Sequence, residues 1–310
     1  MRDYAILSDG TCDLSDELAS KYGIEIVAGH LCTPSKEEFQ CPLRWDRFTS
    51  KEFYQDLRKH PNGYTTSPAS IAELENAMEA HVRKGEGVIY VTMSSGMSGS
   101  YNFASMARNN ILERYPDARI YVLDSLRFGP AVGLLDTDLA VLRSEGKSMD
   151  DAARIMEERK NTYHQAGWLD DLSFVASKGR LTHAKAFMGT LIGVKPIGEF
   201  DYNGMTTVLG KAKGAKNAYR VLIGYMRETI LDPENQTIFI AQSDRLEAAQ
   251  EYKKLIEREI RPREVIINDV YPLTGANVGP GLMAAYYRGT PISKDLSKER
   301  AIIERLLKEA

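Results

Sequence analysis

Short apolar runs alternate with amphipathic stretches through the first half of the chain. Tyr4 to Leu7, Ile24 to Ala28, Val88 to Thr92 and Ile120 to Leu123 read as strands, and Val88 to Val91 is apolar enough to predict a central one. Between them, Ser15 to Tyr22, Ser70 to Arg83, Ser100 to Arg114 and Gly133 to Glu145 carry helical periodicity. Start signals agree: Ser70 with Glu73, Thr49 with Glu52 and Ser148 with Asp151 have capping-box spacing. Strands alternating with helices predict a parallel sheet covered on both faces.

The second half changes character. Asn203-Gly204 stands between two extendable runs, a strong hairpin signal. Strands are expected at Gln236 to Ala241 and Glu264 to Tyr271, with a well-capped surface helix opening at Asp244 between them. Gly279-Pro280-Gly281 is expected to lead into a helical stretch. The break falls near Gly167, after the helix-like Asp150 to Tyr163. The expected architecture is α/β: an N-terminal parallel-sheet α/β domain over residues 1–166, a C-terminal α+β domain over 167–310, and a ligand between them.

Composition narrows the partners. The chain is 43% hydrophobic with a net charge of −3, which gives no electrostatic footprint for nucleic acid or a membrane surface. Cys12, Cys32 and Cys41 lack C-x-x-C spacing and read as reduced thiols rather than a disulfide frame or zinc site. The start, MRDYAILSDG, has no long apolar segment, so the expected location is the cytoplasm. No metal-ligand set, Walker loop or dinucleotide fingerprint occurs, and no cofactor is expected.

The chemistry concentrates in a few corners. VTMSSGMSGSYNFA, residues 91–104, joins the predicted central strand to a helix start. In an open α/β sheet ligands bind at such strand ends, and free N–H groups with the helix dipole favour an anion. Gly96 and Gly99 permit close backbone approach, while Ser94, Ser95 and Ser98 offer hydroxyl donors. An anion cradle, a plain capped turn and a catalytic serine are the three readings. A nucleophile elbow needs Gly-x-Ser-x-Gly, and Gly96-Met-Ser98-Gly-Ser100 puts serine in the last place. Thr66, just before Ser67-Pro68, is not explained by capping. Asp9 is expected to fasten its loop or line the cleft. Lys178-Gly179-Arg180 places a guanidinium fork beside a glycine, and Gly279-Pro280-Gly281 offers a second glycine-rich corner with Asn277 before it.

The ordered set Ser8-Asp9…Asp13-Leu14, Thr66-Ser67…Ser70, Ser94-Ser95-x-x-Ser98-Gly99, Asp124-Ser125, Gly179-Arg180, Lys195-Pro196 and Gly279-Pro280-Gly281 resembles the DegV family from about Ile6 to Gly289. The resemblance implies a bacterial protein that buries a long-chain fatty acid between two domains. It also implies a separate fatty acid kinase as partner, with no catalysis by this chain. By position, Thr66 and Ser95 would bond the carboxylate, and Ser94, Ser98 and Gly99 would shape its cradle. Gly279 to Gly281 would close over it, and Arg180 would stand near the carboxylate or the partner. Asn277 occupies a place usually held by histidine, so only a hydrogen-bonding role survives there. Tunnel-lining candidates are Phe187, Met188, Leu191, Ile192, Leu282 and Met283, with core packing expected for most of them. Transient membrane contact is expected for a lipid carrier. The alternatives are a serine hydrolase or phosphatase acting on a small ester, and a carrier of a different lipid carboxylate.

Overall fold

A computed structural model describes residues 3–182 and 193–309. Phe187, Met188, Leu191 and Ile192 lie outside the described residues. Strands β1 (Tyr4–Asp9), β2 (Ile24–Val27), β6 (Gly87–Thr92) and β7 (Ile120–Asp124) form a parallel sheet in the order β2-β1-β6-β7. Its strands alternate between two cores. Tyr4, Ile6, Ile89 and Val91 face one, while Ala5, Leu7, Val88 and Tyr90 face the other. Helices α3 (Ile71–Val82) and α4 (Ser100–Arg114) cover the second face. Between β2 and β6 the chain builds a small antiparallel sheet from β3 (His30–Cys32), β4 (Glu38–Gln40) and β5 (Thr65–Ser67), in the order β4-β3-β5.

A second, mixed sheet holds β8 (Tyr163–Leu169), β9 (Val194–Phe200), β10 (Thr206–Lys213), β11 (Thr237–Gln242), β12 (Glu264–Asp269) and β13 (Leu282–Arg288). Their order is β10-β9-β8-β13-β11-β12, with β11 and β12 the parallel pair. Helix α6 (Met149–Arg159) stops short of Tyr163, and a 3₁₀ turn hands the chain to β8. All seven residues of β8 are buried, which is why they join the sheet rather than prolong a surface helix. The division expected after residue 166 therefore runs through a strand of the second sheet.

Several local expectations take specific form. Thr49 and Ser70 close complete capping boxes with Glu52 and Glu73, on α2 (Ser50–Lys59) and α3. The hairpin between β9 and β10 turns at residues 201–205, with Gly204 at φ 79°. Two helices differ from expectation. The one after Asp244 is α9 (Leu246–Glu259), and it has no side-chain cap: its N-cap is Arg245, and Asp244 pairs with Arg58 instead. Gly279-Pro280-Gly281 does not open a helix; it ends α10 (Pro272–Val278) and leads into β13. Leu282 to Tyr287 form a fully buried strand paired on both sides, so tertiary pairing overrides the helical preference of Leu, Met and Ala.

Helix α5 (Pro130–Ser144) links the two sheets. It packs against β1 and β6 of the first sheet and β8, β11 and β13 of the second. Residues Pro130 to Thr137 are all buried, so apolar side chains occupy every face. Ile6, Ile89, Leu135, Phe239 and Ala285 consequently belong to one continuous core.

That core contains a costly group in α5. Asp136 is fully buried; Ser8 Oγ donates to its Oδ2 at 2.5 Å, and among the described residues Oδ1 has no partner. Burial pushes its carboxyl well above the usual carboxylate range, with the nearby Asp9 adding to the effect. The folded state thus favours the protonated form. Stability is greatest below the ordinary aspartate pKa of about 3.9 and is lost as pH rises toward the raised native value. Asp136→Asn keeps the shape without the titration. Its urea-unfolding free energy should exceed that of wild type by about 1.4 kcal/mol more for each pH unit through that window. A gap that does not change with pH contradicts a buried neutral carboxyl.

Candidate functional site

The parallel sheet has one topological switch point. The chain leaves β1 for β2 on one side and returns as β6 on the other, so a crevice opens outside the carboxyl ends of β1 and β6. A cavity of about 170 Å³ occupies it. Asp9 and Thr11 come from the end of β1, and Met93, Met97, Ser98, Gly99 and Ser100 from the corner after β6. Thr66, Ser67 and Pro68 enter from β5, and Phe128 from the turn before α5. The second half supplies Val175 of α7 (Ser173–Ser177), Arg180, Thr206, and Leu273, Thr274, Asn277 and Val278 of α10. Those four α10 positions are spaced to share one helix face.

Hydroxyl groups dominate the polar wall. Asn277 Nδ2 donates to Thr66 Oγ1 at 3.0 Å and to the Leu273 carbonyl at 3.0 Å. Thr66 therefore accepts from the protein and keeps its own O–H for a ligand. Ser98 Oγ and Ser100 Oγ stand 3.0 Å apart, and Ser98 Oγ accepts the Ser100 N–H at 3.2 Å. No side chain caps the N-cap Gly99 of α4, and its first turn holds no acidic residue. Among the described residues, Thr206 Oγ1 is buried without a partner. The Thr11 and Thr274 hydroxyls lie beside Asp9 and Asp13 without a well-formed hydrogen bond.

Two carboxyls stand behind this wall. Burial pushes Asp9 above the usual range, with hydrogen bonds from Ser100 and Thr11 pulling it part of the way back. Burial pushes Asp13 well up, against the Tyr271 N–H that its Oδ1 accepts at 3.1 Å. The upward direction of both shifts weakens the negative charge set against an anionic head group. Arg180 is held at the rim: its Nε donates to the Met97 carbonyl at 3.1 Å and its Nη1 to the Lys178 carbonyl.

Of the positions singled out from sequence, Thr66, Ser98, Gly99, Asn277 and Arg180 converge on this cavity. Ser94, Ser95, Gly279 and Gly281 are not among its lining residues. The Ser94 carbonyl accepts from the Met97 and Ser98 N–H groups, and that tight turn carries Ser95 outward to an exposed position. Ser94 is fully buried, and its Oγ accepts the Gly96 N–H. The Gly279 and Gly281 N–H groups are spent on the Gly275 and Ser243 carbonyls, which removes the second anion corner. Leu282 and Met283 pack in the core. Asp9 lines the cavity, one of its two expected places, whereas Thr11, Thr206 and Thr274 carry no sequence assignment; for Thr11 the available signal was its place just after Asp9 at the end of the first strand.

A family model described as "Uncharacterised protein, DegV family" matches residues 3–289. The chain belongs to the DegV family. A DegV domain-containing protein of Clostridium perfringens is 30% identical over 289 residues, covering 93% of this chain and 98% of its own. Among solved structures, a DegV-family protein from Thermus thermophilus described for fatty acid binding matches with TM-score 0.82 at 22% identity, over 94% of this chain and all of its own. DegV from Bacillus subtilis, described as a fatty acid binding protein, matches with TM-score 0.75 at 25% identity, over 94% and 100%. The DegV fold, a parallel-sheet part and a mixed-sheet part, is thus the fold of this chain.

The serines of the corner have a structural task as well. Gly204 of the hairpin sits against Ser94: a Cβ there would lie 2.2 Å from Ser94 Oγ and 2.9 Å from Leu126 Cα. Gly85 has a similar φ of 74° and no neighbour within 4 Å. Gly85→Ala should cost the left-handed strain alone, about 1 kcal/mol, and Gly204→Ala clearly more, by urea unfolding. Equal costs contradict the docking of the hairpin on the serine corner.

Proposed function

We propose that this protein binds a long-chain fatty acid with its carboxylate at the switch-point cavity. The observation that carries the reading is Thr66, oriented by Asn277 and facing the Ser98 corner in a cavity that also has an apolar wall of Met93, Met97, Phe128, Val175, Leu273 and Val278. Fatty acid binding by solved DegV relatives supports it. Hydrogen bonds from hydroxyls and the N-terminus of α4 offset the desolvation of the head group. Each methylene buried beyond it contributes about 0.8 kcal/mol, before ordering costs. A cavity of 170 Å³ is smaller than ordinary small-molecule sites of about 300–1,000 Å³. It takes the head group and the first methylenes, and the remaining chain parts the apolar side chains beyond Val175 and Val278.

On this reading the protein is a cytoplasmic carrier rather than a catalyst, and it presents the carboxylate to a fatty acid kinase, with Arg180 at the rim beside the group to be phosphorylated. Delivery involves transient membrane contact. Among the described residues no helix is long and apolar enough to cross a membrane, and no cluster of three metal-ligating side chains occurs.

Native mass spectrometry of protein purified from bacteria should show a co-purified fatty acid. Thr66→Val should weaken palmitate binding by about 1–3 kcal/mol, whereas Ser95→Ala, at an exposed position, should change it by less than about 0.5 kcal/mol. Protein that carries no lipid and takes up neither palmitate nor oleate contradicts the reading. The reverse ranking of the two variants contradicts the placement of the carboxylate.

A further inference from the structure

A second cavity, of about 370 Å³, lies at the far end of α5 from the switch point and shares no lining residue with it. Arg159 at the end of α6, Arg263 before β12 and Arg288 at the end of β13 all line it. Lining one cavity, the three guanidinium groups converge on one place; burial pushes the Asp138 carboxyl above the usual range, and the Tyr163 hydroxyl and these three charges pull it part of the way back.

Their partners are few. Asp138 Oδ2 accepts the Tyr163 hydroxyl at 2.7 Å and faces Arg288 Nη1 at 3.8 Å. Arg263 Nη2 donates to Thr237 Oγ1 at 3.1 Å. Among the described residues, neither Arg159 nor Arg263 has a carboxylate within salt-bridge distance. The one other acid in the lining is Glu145, exposed at the end of α5. The wall itself is already bonded: Gln236 Nε2 donates to the Leu231 and Arg288 carbonyls, and its Oε1 accepts the Arg288 N–H at 2.8 Å. An internally satisfied wall with unspent guanidinium donors has the chemistry of an anion site.

We infer that this cavity binds the phosphate group of a small phosphomonoester. A carboxylate occupies one guanidinium fork, whereas a phosphate brings three oxygens and a charge of about −1.5 to −2, which suits several forks at once. Asp138, Glu145 and the negative end of the α5 dipole oppose any anion there, so binding depends on the three guanidinium charges acting together. The volume exceeds that of a bare phosphate, and Tyr22 provides a flat wall for the organic body of the ester.

The test is equilibrium dialysis of the full chain against radiolabelled inorganic phosphate at fixed ionic strength. Wild type should bind at one saturable site, with glycerol phosphate competing better than acetate. Arg159→Gln with Arg263→Gln should weaken binding at least about tenfold, while palmitate loading is unchanged. If the double variant does not fold, Arg263→Gln alone, at an exposed position, should weaken binding several-fold. Absence of saturable phosphate binding by wild type, or unaltered binding by the folded variant, overturns the inference.

Discussion

The first two turns of helix α5, Pro130 to Thr137, have no face for water. Their apolar side chains point all round, so they are stable only when protein covers every side. The parallel sheet covers one flank and the mixed sheet the other, and one core runs through both. Each fully buried Leu in it contributes about 1.5–3 kcal/mol, and Leu135 and Leu139 are both at 0% exposure. The two halves are therefore joined by burial around a shared helix rather than by a surface contact between finished domains. Asp136 is a polar exception on this helix, held by the Ser8 hydroxyl, with burial favouring its neutral form.

The site follows from that join. Clamping α5 between the sheets brings α7, Arg180 and α10 over the carboxyl ends of β1 and β6, where the parallel sheet opens its crevice. The crevice would otherwise be a solvated groove; covered, it becomes a small cavity whose polar groups have few outlets. Hydroxyls are suited to such a place because they orient without carrying charge. Asn277 shows the principle: it cannot titrate, yet by donating to Thr66 it turns a threonine proton toward the cavity.

Much of this was legible in the sequence because local signals and tertiary demands agreed. Val88 to Thr92 reads as a central strand and is one; the Thr49 and Ser70 capping boxes are where their spacing puts them. The short strands β3 to β5 escaped notice, since three residues hold no measurable period. Gly279-Pro280-Gly281 misled because a glycine turn looks the same before a helix or a strand, and the pairing of β13 decides between them. In the corner, Ser94, Ser95 and Ser98 are chemically alike. Only the turn closed by the Ser94 carbonyl sends Ser98 inward and Ser95 out to solvent. The arginine cavity draws Arg159, Arg263 and Arg288 from three distant elements, a convergence that sequence spacing does not encode.

The claim that most depends on this geometry is the position of the head group. It is tested directly by a crystal structure of the protein loaded with a fatty acid brominated at its terminal carbon. The predicted result is a carboxylate within hydrogen-bond distance of Thr66 Oγ1 and Ser98 Oγ, about 2.5–3.0 Å, with the anomalous bromine peak buried away from them. A carboxylate resting against Ser95, or a bromine peak at the Thr66 end of the cavity, would contradict the account.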